Sequence, residues 1–216
     1  SVKIGRSDGL VINEQTGVVK GYNGNADYVV VPEYISASDG LNKAKAVRVT
    51  GISENAFKGN TKIKGVLLPK HIREIPANAF EGCTSLQTLI AMGINTIGSA
   101  AFKNCTSLQS FVMDEYVTSL GNNAFVNVPE IYVNAANENV AKSAFNSGAK
   151  KILVYLSNMT GSLDNYKISI PASTEFFALM SDGREYKNLS IDSSADNTFL
   201  SNFKLTENSD TPLKLN

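Results

Sequence analysis

One pattern recurs four times between Val49 and Val133, and it restricts the chain to folds in which short units stack on one another. The copies are VTGISENAFKGNTKIKGVLL from Val49, IREIPANAFEGCTSLQTLIA from Ile72, INTIGSAAFKNCTSLQSFVM from Ile94 and VTSLGNNAFVNVPEIYV from Val117. An Ala-Phe pair ends at Phe57, Phe80, Phe102 and Phe125, in steps of 23, 22 and 23 residues. Five residues before each Phe stands Ile52, Ile75, Ile97 or Leu120, and six after it Ile63, Leu86, Leu108 or Ile131. No unit of this length buries its apolar side alone, so stacking must turn each column into a ladder, with Phe57, Phe80, Phe102 and Phe125 as the spine of the core.

A period of about 20 to 29 residues is the range of leucine-rich repeats, in which each unit supplies one strand and one helical or irregular return. The Ala before each Phe lets one return lie close to the next. Ser, Asn and Gly ahead of it (Ser53 to Asn55, Gly98 and Ser99, Gly121 to Asn123) suit the entry to a short helix. At higher resolution the pattern is Ile-x-x-Ile-x-x-x-Ala-Phe-x-x-Cys-x-x-Leu, and it resembles the BspA-type leucine-rich repeat of bacterial surface and secreted proteins. Units two and three carry every consensus position: Ile72, Ile75, Ala79, Phe80, Cys83 and Leu86, then Ile94, Ile97, Ala101, Phe102, Cys105 and Leu108. Asn60 and Val128 replace the Cys in units one and four. The segment from Gly17 to Glu33 resembles a preceding unit, Val29-Val30-Val31-Pro32 matching Val66-Leu67-Leu68-Pro69, so the resemblance spans about residues 17–155. It implies an α/β repeat solenoid, a right-handed superhelix, located at the cell surface or outside the cell. It brings no catalytic residues and no cofactor, and the expected export signal does not lie in this chain.

Beyond the fourth unit the spacing breaks. Phe125 to Phe145 is 20 residues, and Asn134 falls where Val66, Leu89 and Phe111 fell. Asn134 to Leu156 reads as a longer helix ending at Gly148 and then a last strand. From Ser157 to Asn216 no repeat remains, but YKISI, TEFFALM, KNLSI and FLSNFKL alternate between turn clusters. The expected organisation is a repeat domain over 1–156, with an N-terminal cap and an insertion at about 36–46, and a small antiparallel β module over 157–216 docked on its end.

The 20 Lys+Arg balance 20 Asp+Glu, which disfavours nucleic acid and anionic membrane as partners, since both select clustered basic charge. No apolar run approaches the roughly 20 residues that span a bilayer. A Ser-His-Asp or Cys-His arrangement would have to use His71, the single histidine, which follows Pro69-Lys70 in a turn and reads as an exposed loop residue. The string from Ser147 to Lys150 lacks the companions of a Ser-x-x-Lys nucleophile, and the cluster from Asp192 to Asn197 lacks the alternating oxygens of a calcium loop. Two cysteines and one histidine cannot make a four-ligand zinc site. Cys83 and Cys105 stand at equivalent places in adjacent units, about 5 Å apart by strand spacing. That permits a disulfide, and a column of two buried thiols is the favoured alternative. Asn158-Met-Thr160 and Asn188-Leu-Ser190 match the glycosylation sequon and carry little weight.

Strand side chains alternate faces, so the middle residue of each strand triplet points away from the core. Val30, Leu67, Ile90 and Val112 then form an outward apolar column. An intramolecular cover, by the insertion or the C-terminal module, is favoured over a ligand or second copy. The expected function is binding or adhesion, not enzymatic, toward a host or matrix protein. A carbohydrate-binding role is the alternative and would need exposed aromatic platforms, which a chain with no Trp disfavours.

Overall fold

A computed structural model describes residues 9–38, 44–109 and 111–188. Its strands are, in chain order, β1 (Leu10–Ile12), β2 (Val18–Tyr22), β3 (Tyr28–Val30), β4 (Tyr34–Ser38), β5 (Ala44–Arg48), β6 (Gly51–Ile52), β7 (Gly65–Leu67) and β8 (Glu74–Ile75). They continue with β9 (Thr88–Ile90), β10 (Thr96–Ile97), β11 (Phe111–Met113), β12 (Ser119–Leu120), β13 (Glu130–Asn134), β14 (Lys151–Leu156), β15 (Glu175–Met180) and β16 (Glu185–Lys187). Helix α1 spans Glu138–Phe145. The result is a strand-rich repeat fold with two parallel ladders. One runs β3-β7-β9 and resumes as β11-β13-β14-β15; the other is β8-β10-β12, with β6 paired to β2 at its start.

The returns between the ladders are tight turns, where short helices were expected. Each is a run of i to i−3 bonds, such as Ala79 N to Pro76 O, Glu81 N to Asn78 O and Cys83 N to Phe80 O. The reason is a left-handed residue on either side of each Phe. Two positions before it Asn55, Asn78, Ala100 and Asn123 have φ of 60, 55, 53 and 57°, and two after it Gly59, Gly82, Asn104 and Asn127 have 72, 75, 63 and 64°. A helix cannot pass through such a residue, and Asn and Gly are the residues that adopt it most cheaply. The alternation turns every second amide toward the next unit. Phe57, Phe80 and Phe102 donate to Ala79, Ala101 and Ala124 at 2.8 Å, while Gly59, Gly82 and Asn104 donate to Glu81, Lys103 and Val126 at 2.7, 2.8 and 2.8 Å. Adjacent returns are therefore joined by their own backbone ladder, which α-helices would not supply.

Inside these turns the rings of Phe57, Phe80, Phe102 and Phe125 stack with centroids 5.0, 5.4 and 5.3 Å apart and planes within 3 to 4°. All four are buried. Phe111 leans on Phe102 and Phe125 at 45°. Beyond Phe125 the ladder gives way to Phe145, which meets Phe176 edge-on at 5.8 Å.

Two features of the ends differ from the sequence reading. Unit four is three residues shorter between the Cys position and the strand column, so Ile131 pairs with Phe111 in that column and is not a counterpart of Leu108. Asn134 lies three residues further on, buried, donating to Glu115 Oε2 at 3.2 Å. The second correction concerns the expected antiparallel module. The TEFFALM segment forms β15, parallel to β14 in unbroken register from Lys151↔Glu175 to Leu156↔Met180, and among the described residues of the expected module only β16 is antiparallel. Residues 157–174 make a crossover long enough for a parallel connection, and Phe176, Ala178 and Met180 extend the inward side of the sheet. YKISI contributes the end of a 3-10 turn (Leu163–Tyr166) and no strand. FLSNFKL and most of KNLSI lie outside the described residues. The insertion is the hairpin β4-β5, whose tip, 39–43, also lies outside them.

Replacing Phe102 with Ala is expected to cost about 3 to 5 kcal/mol, as for other buried aromatics, read from chemical denaturation. Ala100→Gly is expected to have the opposite sign, raising stability by roughly 0.5 to 1 kcal/mol, because it relieves a β-carbon held at positive φ.

Candidate functional site

The strand register builds an outward row, in two paired stretches, from the residues that alternate away from the Phe stack. Val30 pairs with Leu67 and Leu67 with Ile90; after a break, Val112 pairs with Tyr132, Tyr132 with Leu153 and Leu153 with Phe177. Val30, Leu67, Ile90 and Val112 are 44, 41, 53 and 61% exposed. Among the described residues neither cover favoured from sequence lies over these side chains: β15 joins the sheet edge instead of crossing its face, and the tip of the β4-β5 hairpin and the residues beyond 188 lie outside the described residues. Met92 (66%) and Tyr116 (59%) extend the exposed apolar surface over the loops that follow β9 and β11. At the other end Leu153, Phe177 and Leu179 form a buried cluster flanked by Tyr132 and Tyr155, with Lys187 Nζ 5.7 Å above the Phe177 ring. Tyr132, Leu153 and Phe177 were missed from sequence because the shortening of unit four displaces the strand alignment by three residues.

The row is bordered by polar groups. On the flank where the strands begin, Lys64 pairs with Asp27 at 2.7 Å and Lys151 with Glu130 at 2.9 Å. Tyr28 there lies against Gly65, where a β-carbon would come within 2.8 Å of the Tyr28 ring. Where the strands end, Lys70 and Arg73 gather with Met92 and Tyr116 around a shallow concavity, and Asp114 and Glu115 stand one unit beyond Met92. Among the described residues no strand pairing joins β9 to β11. A crevice of about 240 Å³ opens at this break, lined by Leu89, Ile90, Ile94, Phe111, Val112 and Met113.

The groups with chemical potential are used structurally. His71 is half-buried and not on an exposed loop: the turn closed by Ile72 N and Pro69 O tucks its ring inward, where Nε2 donates to the Val49 carbonyl. Its Nδ1 lies 3.8 Å from Glu33 Oε1. Cys83 and Cys105 are free and buried. Each thiol donates back one unit, to the carbonyls of Phe57 and Phe80 at 3.0 Å. Burial pushes the Cys83 thiol from its ordinary 9.0 up to about 12, and raises Cys105 as well. Among the described residues no group of three His, Cys, Asp or Glu is placed to hold a metal ion, and no helix is long and apolar enough to cross a membrane.

Raised thiol values carry a definite sign. Between pH 9 and 12 the unfolded thiol is ionised while Cys83 in the folded chain keeps its proton, so the stability its burial contributes is present below pH 9 and is lost as pH rises toward 12. Unfolding free energy is expected to fall across that window by up to about 1.4 kcal/mol per pH unit per thiol. Cys83→Val should flatten the fall, and a thiol reagent at pH 8 should find both sulfurs only after denaturation.

Comparison with known proteins supports the repeat reading. The family described as BspA type leucine rich repeat region matches residues 44–168 in six copies. Among solved structures, the chain is similar to the pneumococcal vaccine antigen PcpA, with 15% identity, TM-score 0.56, and 80% of this chain and 42% of that one covered. A leucine-rich repeat protein from Bacteroides capillosus is similar at 21% identity and TM-score 0.45, covering 54% of this chain and 85% of that one. Another, from Bacteroides ovatus, has 19% identity and TM-score 0.44, covering 69% and 48%. The chain thus spans less than half the length of two of these three. No curated protein matches the sequence.

Proposed function

The chain belongs to the BspA-type leucine-rich-repeat family, and on that premise we propose that it is an extracellular or cell-surface binding module that recognises a host or matrix protein through the outward row. The observation that carries the reading is the exposure of Leu67, Ile90 and Val112 in one row of a paired sheet, with Val30 at its start. A sheet face open to water ordinarily carries polar residues, and a contiguous exposed apolar patch marks an interaction site. The polar flanks, Lys64 with Asp27 and Lys151 with Glu130, complete the arrangement of apolar centre and polar rim found at protein interfaces. The reading takes the stacked units as a right-handed solenoid that keeps the row continuous, and assigns the chain a binding role, not a catalytic one. The family supports a location at the cell surface or outside the cell.

One observation favours the carbohydrate alternative. Tyr28 is 62% exposed and packed on Gly65, and an aromatic ring presented at a sheet edge is a surface on which a sugar can stack. A glycan array run beside a panel of host and matrix proteins separates the two.

Ile90→Lys with Val112→Lys tests the face. Both residues are more than half exposed, so thermal stability is expected to stay within about 1 kcal/mol of the parent, while capture of a protein from the panel is lost. Unfolding of the double variant would return the row to the core, and retained capture would remove it as the binding face.

A further inference from the structure

The edge of the outward row where the strands end is polarised along the stacking direction. Lys70 and Arg73 stand one strand before Ile90, at the level of Leu67; Asp114 and Glu115 stand one strand after it, at the level of Val112. Among the described residues none of the four has an ion-pair partner: Arg73 Nη1 donates to the Gly93 carbonyl at 2.8 Å, Asp114 Oδ1 accepts from the amide of Tyr116 at 3.1 Å, and Glu115 Oε2 accepts from Asn134. On the opposite flank Lys64 with Asp27 and Lys151 with Glu130 are matched within the chain. A surface with two unmatched cations on one side of a central strand and two unmatched anions on the other is complementary to itself.

The symmetry that uses this complementarity is a twofold axis parallel to the strands and passing over β9. Such a rotation reverses the order of the strands and keeps the loop edge against the loop edge, which is the self-matching of an isologous interface. Resting on the reading of the outward row as a binding face, we propose that a second copy of this chain occupies it. Ile90 then meets Ile90, Met92 meets Met92, Leu67 meets Val112, and Lys70 with Arg73 meets Asp114 and Glu115 at both ends. The strands of the two sheets run aligned, the ordinary way for sheets to pack face to face. Five strands of three residues offer roughly 24 Å by 10 Å of sheet, small beside the roughly 800 Å² per partner of a standard interface. The dimer is therefore weak and reversible, fit for chains held at high local concentration, and it competes with a foreign protein for the same row.

Sedimentation equilibrium of the full chain, taken to high micromolar concentration, is expected to show a monomer–dimer equilibrium that weakens with added salt. Lys70→Glu with Arg73→Glu leaves both ends acidic, and Asp114→Lys with Glu115→Lys leaves both ends basic. Each pair alone is expected to raise the dissociation constant about tenfold or more. Mixing the two variants should restore association as a heterodimer, and combining all four changes in one chain should restore the homodimer, which excludes misfolding as the cause of the loss. A parent chain that remains monomeric throughout, a reversal variant that self-associates like the parent, or a mixture that fails to associate would each overturn the proposal. If the parent is monomeric yet Ile90→Lys with Val112→Lys abolishes capture of a panel protein, only the second-copy inference fails. If self-association follows the charges and the panel shows no capture, the second copy stands and the foreign-protein reading fails.

Discussion

The stack of Phe57, Phe80, Phe102 and Phe125 fixes the geometry to which everything else conforms. Its spacing of 5.0 to 5.4 Å is close to the 4.7 to 4.9 Å between paired strands, so rings and strands advance together without a progressive mismatch. Length variation is consequently pushed away from the stack. From each Phe to its strand column the distance is nine residues in the first three units, to Val66, Leu89 and Phe111. The one-residue difference between units falls instead in the loop between Leu89 and Ile97, where Gly93 at φ 62° makes a tighter turn against which the Arg73 guanidinium packs. The three-residue loss in unit four comes after Phe125, where the coplanar stacking ends. Helix α1 and the edge-on pair of Phe145 and Phe176 follow, so a different return accompanies a different aromatic geometry.

Stacking alone would leave the return segments with stranded amides, and buried backbone groups without partners are costly. The left-handed residues on both sides of each Phe resolve this by aiming alternate N–H groups at the next unit. The two thiols serve the same end. Cys83 and Cys105 lie inside the turn ladder and donate to the Phe carbonyl of the preceding unit, whereas Asn60 caps its own turn by accepting from the amides of Lys62 and Ile63. The column is thus filled by residues that differ in chemistry but share the position.

The repeat, its period, the Phe spine and the outward direction of Val30, Leu67, Ile90 and Val112 were legible in the sequence, because apolar residues at fixed offsets report burial directly. The form of the returns was legible in principle: Asn55, Asn78 and Asn123 two before the Phe, and Gly59, Gly82, Asn104 and Asn127 two after it, are the signature of paired left-handed positions. Read one unit at a time they resemble helix-entry residues, and only their coincidence across units distinguishes the two. The strand β14 was legible as the last strand, but the continuation into β15 was hidden, because alternation in TEFFALM is equally compatible with a parallel or an antiparallel strand. The half-buried setting of His71 depends on how the loop from Pro69 folds against Val49, a contact between residues 22 positions apart that no local pattern encodes.

The outward row raises a separate question of cause, since nothing in the stack requires it to be apolar. Inward residues such as Val29, Val66 and Ile131 carry the burial, and neighbouring outward positions on the same strands tolerate Thr88, Glu130, Lys151 and Glu175. A polar residue at Leu67 or Ile90 would therefore cost the isolated chain little, and would reduce its tendency to associate. Apolar side chains persist nonetheless in this one row on all seven strands, from Val30 to Phe177, with polar positions on its flank. Among the described residues nothing covers Leu67, Ile90 and Val112. The proposed association would account for their being apolar, because the free energy from removing such a row from water is gained only when another surface covers it.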